Sequence, residues 1–285
     1  MPLLLTARED ALGRDVLGVD LAGLTPDRLQ HASAADVAHL TIKADQRPCL
    51  VGDLFEVAGS GNDGQMVLRG TTSRVHRVAA GMRSGSVVVE GDVGRHAAEG
   101  MHGGHVTLHG SAGDWLACGL QGGVVHVLGS AGDHAASAVP RHDRGLEGGM
   151  VLIEGSAGDL AGSRMRRGLL AIGGDCGEAA GYELAAGTVV VAGRLGNRAG
   201  AGMKRGSVIA LGPTPEVWPT FSRGSVWQPP IVPMLLQWLV QHGWKSQAAA
   251  AQGPWQQWHG DFLAGGRGEI FCLPDAEGPH CGRAA

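Results

Sequence analysis

The chain has 285 residues, of which 44 % are hydrophobic and 49 are glycine, and its formal net charge is −4. This length and apolar content suffice for one elongated domain with terminal additions. The weak negative charge argues against a general electrostatic attraction to nucleic acid, so no nucleic-acid partner is predicted. The glycine content is more than twice ordinary usage, and a strict repeat explains it better than disorder does.

Residues 1 to 63 do not share the repeat described below and are predicted to form an N-terminal α/β cap. Threonine, proline and aspartate at positions 25 to 27 predict a short helix through about Gln30. Residues 38 to 43 alternate like a strand, and residues 50 to 57 are expected to lead into the first repeat.

Neither a secretion signal nor a membrane segment is predicted. The opening residues MPLLLTARED are too short and too soon acidic for a signal peptide, and the best apolar run, IVPMLLQWLV, falls short of the roughly 20 residues that span a bilayer. We therefore expect a cytoplasmic protein without a membrane partner.

Residues 64 to 212 are predicted to form one repeated domain, and from Gly85 to Gly212 the repeat has a period of nineteen residues, with one gap lengthened by a seven-residue insertion. A glycine opens each apolar run, a second closes it six residues later, and a third usually follows three residues after that. The opening glycines are Gly85, Gly104, Gly123, Gly149, Gly168, Gly187 and Gly206. Short β-branched runs bounded by glycine predict one strand per repeat.

Three apolar columns run through these repeats and are predicted to face one core, because side chains alternate between the faces of a strand. The second position of each run holds Val87, Val106, Val125, Val151, Leu170, Val189 and Val208. The fourth holds Val89, Leu108, Val127, Ile153, Ile172, Val191 and Ala210. Three residues before each opening glycine stand Met82, Met101, Leu120, Leu146, Met165, Leu184 and Met203. A degraded first repeat places Met66 and Leu68 in the first two columns.

Together these features predict an all-β protein, built as a right-handed parallel β-helix of about nineteen residues per coil. The return segments carry small residues, such as Ala97 and Ala98, which let the walls approach until side chains fill the interior. We expect no internal ligand cavity, and function on the outer faces or at the ends.

Residues 213 to 285 are predicted to form a C-terminal cap and docking tail. Six of the seven tryptophans lie between Trp218 and Trp258, Pro233 is expected to start a helix through about His242, and residues 246 to 254 resemble a linker. The aromatic residues either cover the last repeat or bind a partner, and the two roles are compatible. The predicted partner interface comprises Pro140, Arg141 and His142 in the insertion, with Trp218, Trp227 and Trp238 in the tail.

The sequence predicts no catalytic, cofactor-binding or metal-binding residue. His96, His102, His105 and His109 are candidates for a metal site, but no cysteine or suitably spaced carboxylate accompanies them. A column of Asp114, Asp133, Asp159, Glu178 and Asn197 is expected to stabilise turns by bonding its own backbone. Five scattered cysteines, Cys49, Cys118, Cys176, Cys272 and Cys281, indicate a reducing compartment and incidental or buried thiols.

A glycine pattern, G-x-x-G-x-x-x-G, is complete in three consecutive repeats, and the tail reads GDFLAGGRGEI over residues 260 to 270. The pattern glycines are Gly155, Gly158, Gly162, Gly174, Gly177, Gly181, Gly193, Gly196 and Gly200. These motifs resemble the C-type subunit of formylmethanofuran dehydrogenase, a family that shares its β-helix with the carboxy-terminal domain of glutamate synthase. Alanine replaces the last glycine at Ala98, Ala117 and Ala136, a mild departure that suits a small wall-facing residue.

The resemblance implies a scaffold subunit whose partners are subunits of the A, B and D type. Those partners would carry the methanofuran-type carrier and the metal. Abundant alanine and arginine with little lysine favour a bacterial formyltransferase/hydrolase complex, which converts formyl-tetrahydromethanopterin via formylmethanofuran to formate. Alternatives are an archaeal-type tungsten or molybdenum dehydrogenase, a free-standing β-helix enzyme, or a spacer domain like that of glutamate synthase. For a scaffold, deletion of residues 213 to 285 is expected to abolish assembly.

Overall fold

A computed structural model describes residues 1–9, 16–139, 142–246 and 252–274. Its strands are β1 (Leu3–Ala7), β2 (Val19–Asp20), β3 (Thr41–Ala44), β4 (Arg47–Leu50), β5 (Phe55–Ala58), β6 (Gln65–Arg69), β7 (Val75–His76), β8 (Ser86–Val89), β9 (His105–Leu108), β10 (Val124–Val127), β11 (Met150–Ile153), β12 (Leu169–Ile172), β13 (Thr188–Val191), β14 (Arg205–Ala210), β15 (Ser222–Trp227), β16 (Trp255–Gly260) and β17 (Arg267–Cys272). The helices are α1 (Ala34–Ala38), α2 (Val51–Leu54) and α3 (Ile231–Gln241). The predicted all-β class is confirmed. None of the described helices has the length and hydropathy of a membrane-spanning segment.

Thirteen strands form one mixed sheet in the order β15-β16-β17-β14-β13-β12-β11-β10-β9-β8-β6-β1-β5. Pairing is parallel from β1 through β6 and β8–β14 to β17, and antiparallel at both ends. Each parallel pair is in register, so that Val87 lies beside Val106 and Val106 beside Val125. A smaller sheet, β4-β3-β2-β7, lies in the N-terminal part.

The three apolar columns predicted from the sequence are all buried. Every residue in them is at most 1 % exposed, as are Met66 and Leu68 of the degraded first repeat. Full burial of an aliphatic side chain stabilises a fold by about 1.5 to 3 kcal/mol. A column of such residues in every repeat therefore supplies much of the driving force for stacking.

A second row of parallel contacts joins the repeats at positions outside the named strands. Isolated bridges join the equivalent positions Val93, Ala112, Ala131, Ala157, Cys176 and Leu195, each to the next. Backbone bonds between the same repeats continue beyond this row; for example, the Gly100 N–H donates to the Cys118 carbonyl at 2.9 Å. Adjacent repeats are thus joined by backbone hydrogen bonds between their strands and between their return segments.

The acidic column bonds the neighbouring repeat, and the prediction that it bonds its own backbone is wrong. The Asp133 carboxylate accepts the backbone N–H of Asp159 at 2.9 Å, and the Asp159 carboxylate accepts that of Glu178 at 2.7 Å. A second ladder, missed from the sequence, uses short hydroxyl and carboxylate side chains in the same way. It runs through Asp92, Ser111, Ser130, Ser156 and Asp175, each accepting the next backbone N–H.

The glycine pattern has two separate physical causes. At Gly155 and Gly158 an added Cβ would overlap the Ser130 hydroxyl and the Asp133 carboxylate of the preceding repeat. Gly162 instead adopts a left-handed φ of +68°, which side chains disfavour. Ala98, Ala117 and Ala136, which occupy the Gly162 position in earlier repeats, adopt positive φ values as well, so the alanines are a conformational departure in addition to a change of size.

The N-terminal part departs from three sequence predictions. Residues 25 to 30 form a turn and no helix: the Arg28 and Leu29 N–H groups both donate to the Thr25 carbonyl, and His31 has a left-handed φ of 74° that stops propagation. The strand expected over residues 38 to 43 begins only at Thr41, since α1 occupies the first position. Residues 50 to 57 contain α2 and then β5, which pairs antiparallel with β1 and does not enter the parallel row.

The C-terminal part covers both the last repeat and the outer side of the sheet. β17 pairs in parallel with β14 and places Ile270 beside Val208, which extends the inner column. Helix α3 begins two residues before the expected Pro233, and Val232, Leu236 and Leu239 on one side of it are buried. They share a second core with outward residues of the later strands, Leu152, Ala171, Val190 and Ile209. The expected linker at residues 246 to 254 lies partly outside the described residues.

We predict that Gly158→Ala destabilises the chain by about 3 kcal/mol, because the new methyl group must displace the Asp133 carboxylate and weaken its bond to Asp159. Denaturant unfolding monitored by circular dichroism measures the change. Gly81→Ala is the control: Gly81 has a φ of +68° with open space around its Cβ position, so only the backbone cost of about 1 kcal/mol applies. Equal losses in the two variants would contradict the role assigned to the ladder contact.

Candidate functional site

The predicted interface residues that the structure describes are exposed, but they lie on different elements. Trp218 precedes β15 and is 40 % exposed, Trp227 ends β15 at 42 %, and Trp238 lies on α3 at 39 %. His142 is exposed and lines a surface cavity of about 440 Å³ together with Glu99 and Cys118. The remaining two predicted residues, Pro140 and Arg141, lie outside the described residues.

Other tryptophans of the C-terminal part fill space. Trp244 and Trp255 are each 1 % exposed and belong to the second core, under α3. The chain after α3 is fixed to the sheet by Glu154, which accepts the Lys245 N–H at 2.9 Å and pairs with His126 Nε2 at 2.7 Å. Trp244 and Trp255 therefore have a covering role, but Trp244 covers β11, where its Nε1 lies 3.5 Å from the Ile153 carbonyl oxygen, and not the last repeat as predicted. Other tryptophans are exposed.

An apolar strip is exposed on the outer side of α3. Ile231 is 60 % exposed and Met234 is 64 %, and with Trp238 they follow the helical spacing i, i+3, i+7. β15 is an end strand of the sheet, so within the described residues one row of its backbone groups has no neighbouring strand. Val226 of this strand is 49 % exposed. Exposed apolar side chains and an open strand edge are each typical of surfaces that bind another protein.

The four candidate histidines do not form one site. His105 and His109 are exposed at the start and just after the end of β9, and His102 is exposed before it. His96 lies instead in the return segment of the preceding repeat. There its ring stacks on Trp115, which in turn stacks on His134 with centroids 4.0 Å apart. These three residues occupy equivalent positions nineteen residues apart.

His96 meets two residues that the sequence analysis did not associate with it. Its Nδ1 lies 3.3 Å from Glu99 Oε2 and 3.8 Å from Cys118 Sγ. Among the described residues, the ligand atoms of His96, Glu99 and Cys118 lie close enough together to hold one metal ion. Cys118 and Glu99 are nineteen residues apart, so the repeat itself was a usable signal, since equivalent positions in adjacent repeats become neighbours.

The electrostatics of this cluster follow from its burial. Desolvation lowers the pKa of His96, against the opposing effect of Glu99. Burial, with a smaller contribution from the Glu99 charge, raises the pKa of the Cys118 thiol to about 12. Arg77 Nε lies 3.5 Å from Glu99 Oε2 and partly balances that carboxylate. At neutral pH the metal-free cluster therefore holds a neutral imidazole and a protonated thiol.

We predict that the thiols of the folded, metal-free chain react unequally with an alkylating reagent at pH 8. Burial raises the pKa of Cys118 and of Cys176 to about 12, which leaves about one thiol in ten thousand ionised. Cys49 is half-buried, and we expect it to be labelled at least about tenfold faster, because the reagent reaches it. Peptide mass spectrometry measures each rate, and the chain unfolded in urea is the control. Equal rates in the folded chain would contradict the assigned burial.

Comparison with known proteins identifies relatives of this chain, although no protein-family model matches it. A segment of 77 residues is 40 % identical to the C-type subunit of the formyltransferase/hydrolase complex Fhc of Methylorubrum extorquens, and it spans 27 % of this chain and 29 % of that relative. The structure is similar, with a TM-score of 0.85 and 36 % sequence identity, to a chain in the crystal structure of the formyltransferase/hydrolase complex FhcABCD from Methylorubrum extorquens in complex with methylofuran. That similarity covers 95 % of this chain and 100 % of the solved chain. The chain therefore belongs to the family of C-type subunits of the formyltransferase/hydrolase complex.

Proposed function

We propose that this protein is a non-catalytic structural subunit of a formyltransferase/hydrolase complex that converts formyl-tetrahydromethanopterin via formylmethanofuran to formate. The observation that carries the proposal is the similarity along almost the whole chain to one chain of a solved complex of that kind. Because it covers 95 % of this chain, the similarity extends beyond the repeats into the elements added to them. It favours the formyltransferase/hydrolase over the archaeal-type dehydrogenase considered from the sequence.

The repeats are proposed to wind as a right-handed parallel β-helix. Two rows of parallel contacts support this arrangement, one through the strands and one through the bridged positions from Val93 to Leu195. A chain that returns to the same two rows every nineteen residues closes a coil in each repeat. The right hand follows from the strong preference of crossover connections between parallel strands.

The filled interior and the position of the cavities on the outside both agree with a structural role. The inner columns are completely buried, and aliphatic side chains packed at the density of protein interiors leave no room for a formyl carrier between the walls. The cavities that include Cys118 or His96 are open depressions on the outside. Under this proposal the carrier and the metal of the formyl chemistry belong to partner subunits, and the complex is cytoplasmic.

The docking surface of the proposed subunit is the exposed side of α3 together with the open edge of β15. It combines Ile231, Met234 and Trp238 with Val226 and Trp227, all of which are exposed large apolar side chains. Aromatic residues at the centre of such a patch commonly dominate binding energy. A subunit of the A, B or D type is the proposed occupant.

The structure sharpens the deletion experiment suggested by the sequence. Removing residues 213 to 285 would take away β17, which pairs with β14, and would expose Leu152 and Val190 of the second core. A truncated chain could then fail to assemble because it is unfolded. Substitutions on the exposed side of α3 leave the buried side intact and test docking alone.

We predict that Ile231→Glu combined with Met234→Glu lowers co-purification of the partner subunits at least about tenfold, since each buried carboxylate without a partner costs several kcal/mol at an interface. The chain should keep its unfolding temperature, because both side chains are mostly exposed. Affinity purification of the co-expressed complex followed by quantitative mass spectrometry measures the effect.

Leu17→Glu is the matched control, because Leu17 is 78 % exposed and lies in the N-terminal part. We expect normal recovery of the complex with this variant. Full recovery with the α3 double variant would show that this surface is not the docking site. Absence of any co-purifying subunit with the unmodified chain would contradict the structural role itself.

A further inference from the structure

Two adjacent repeats place three metal-ligand side chains together in their return segments. His96 and Glu99 come from one repeat, and Cys118, nineteen residues after Glu99, comes from the next. We propose that His96, Glu99 and Cys118 bind one Zn²⁺ ion. The site lies in this chain, and the proposal does not depend on the proposed function.

Two of the three distances between the ligand atoms match the edges of a tetrahedral zinc site. Zinc binds nitrogen, oxygen and sulfur at about 2.0 to 2.3 Å, which makes the nitrogen–oxygen edge of the tetrahedron about 3.4 Å and the nitrogen–sulfur edge about 3.6 Å. The observed separations are 3.3 Å from His96 Nδ1 to Glu99 Oε2 and 3.8 Å from His96 Nδ1 to Cys118 Sγ. All three ligand atoms lie within 4.8 Å of one another, so zinc can enter with small side-chain movements.

The surrounding backbone holds the ligands in place. The Gly100 N–H donates to the Cys118 carbonyl at 2.9 Å, which fixes the spacing of the two repeats beside the site. The Glu99 N–H donates to the His96 carbonyl at 3.2 Å, so these two ligands share one turn. Trp115 lies parallel to the His96 ring, with an interplanar angle of 6°. A site assembled before binding loses little conformational entropy when the ion arrives.

The donor set and its charge suit zinc in particular. Imidazole, carboxylate and thiolate are its usual protein ligands, and the thiolate disfavours magnesium and calcium. When the sulfur–zinc bond forms, the Cys118 thiol releases its proton to solvent. The two negative ligands then neutralise the ion. Arg77, now paired with Glu99, would give up that contact, and its side chain is 44 % exposed and free to turn into water.

Ions can reach the cluster from outside. One open cavity, of about 440 Å³, is lined by Glu99 and Cys118, and another, of about 520 Å³, is lined by His96 and Arg77. Three protein ligands leave the fourth tetrahedral position for water or for a ligand atom from a partner. The ion would join two repeats, and its main effect on this chain would be to strengthen their stacking.

The test uses the full chain, stripped of metal with a chelator and titrated with Co²⁺ as a spectroscopic probe and with Zn²⁺ as competitor. We expect one equivalent of Co²⁺ to produce a thiolate-to-cobalt charge-transfer band, and Zn²⁺ to remove it. Cys118→Ser should abolish the band, and His96→Gln and Glu99→Gln should weaken Co²⁺ binding at least about tenfold. Zn²⁺ should raise the unfolding temperature of the unmodified chain, and the same Zn²⁺ concentration should raise that of Glu99→Gln by less.

Cys49→Ser is the matched control, because Cys49 is a half-buried thiol outside the cluster, and we expect it to keep the band. Circular dichroism of the metal-free variants checks their fold. If Cys118→Ser does not fold, Glu99→Gln decides the question, since it alters only a partly exposed side chain. No band in the unmodified chain, an unchanged band in Cys118→Ser, a band lost in Cys49→Ser, or unweakened binding by Glu99→Gln would each overturn the proposal.

Discussion

In-register parallel pairing at an interval of nineteen residues is the constraint on which the rest of the structure depends. It places each residue beside its equivalent in the next repeat, so Val106 lies between Val87 and Val125. A slip of one residue would turn every buried valine of a strand outward. The aliphatic columns make such a slip costly. The polar ladders also fix the register, because each side-chain acceptor must meet the backbone N–H of the next repeat.

The same stacking brings equivalent residues of adjacent repeats into contact, so that they form continuous rows. Asp133 and Asp159 become links of one hydrogen-bonded ladder, and His96, Trp115 and His134 become one stack of rings. Glycine is required where a neighbouring row leaves no space, as at Gly158 beside the Asp133 carboxylate. Stacking also brings Glu99 and Cys118 to neighbouring positions, which is the physical origin of the proposed zinc cluster.

Because the inner columns are filled, variation between repeats is expressed on the outside. The outward side of β9 is polar, with exposed His105, whereas the third positions of β11 to β13 hold Leu152, Ala171 and Val190, which share a core with α3 and Trp244. The C-terminal part thus buries one apolar surface and presents another, the strip from Ile231 to Trp238. A filled interior with a selectively apolar exterior is suited to holding other subunits.

The repeat, the strand of each repeat, the buried columns and the family resemblance could all be predicted from the amino-acid sequence, because side-chain alternation and glycine spacing are local properties. Prediction failed at residues 25 to 30, where the chain makes a single turn after Thr25 and the left-handed φ of His31 ends it. Local pattern also could not show that the acidic column bonds the next repeat, or that α3 covers Leu152. The nineteen-residue interval places Glu99 and Cys118 in adjacent repeats, but only the folded chain shows that His96 Nδ1 faces both of them, because the direction of a side chain in a return segment depends on its packing.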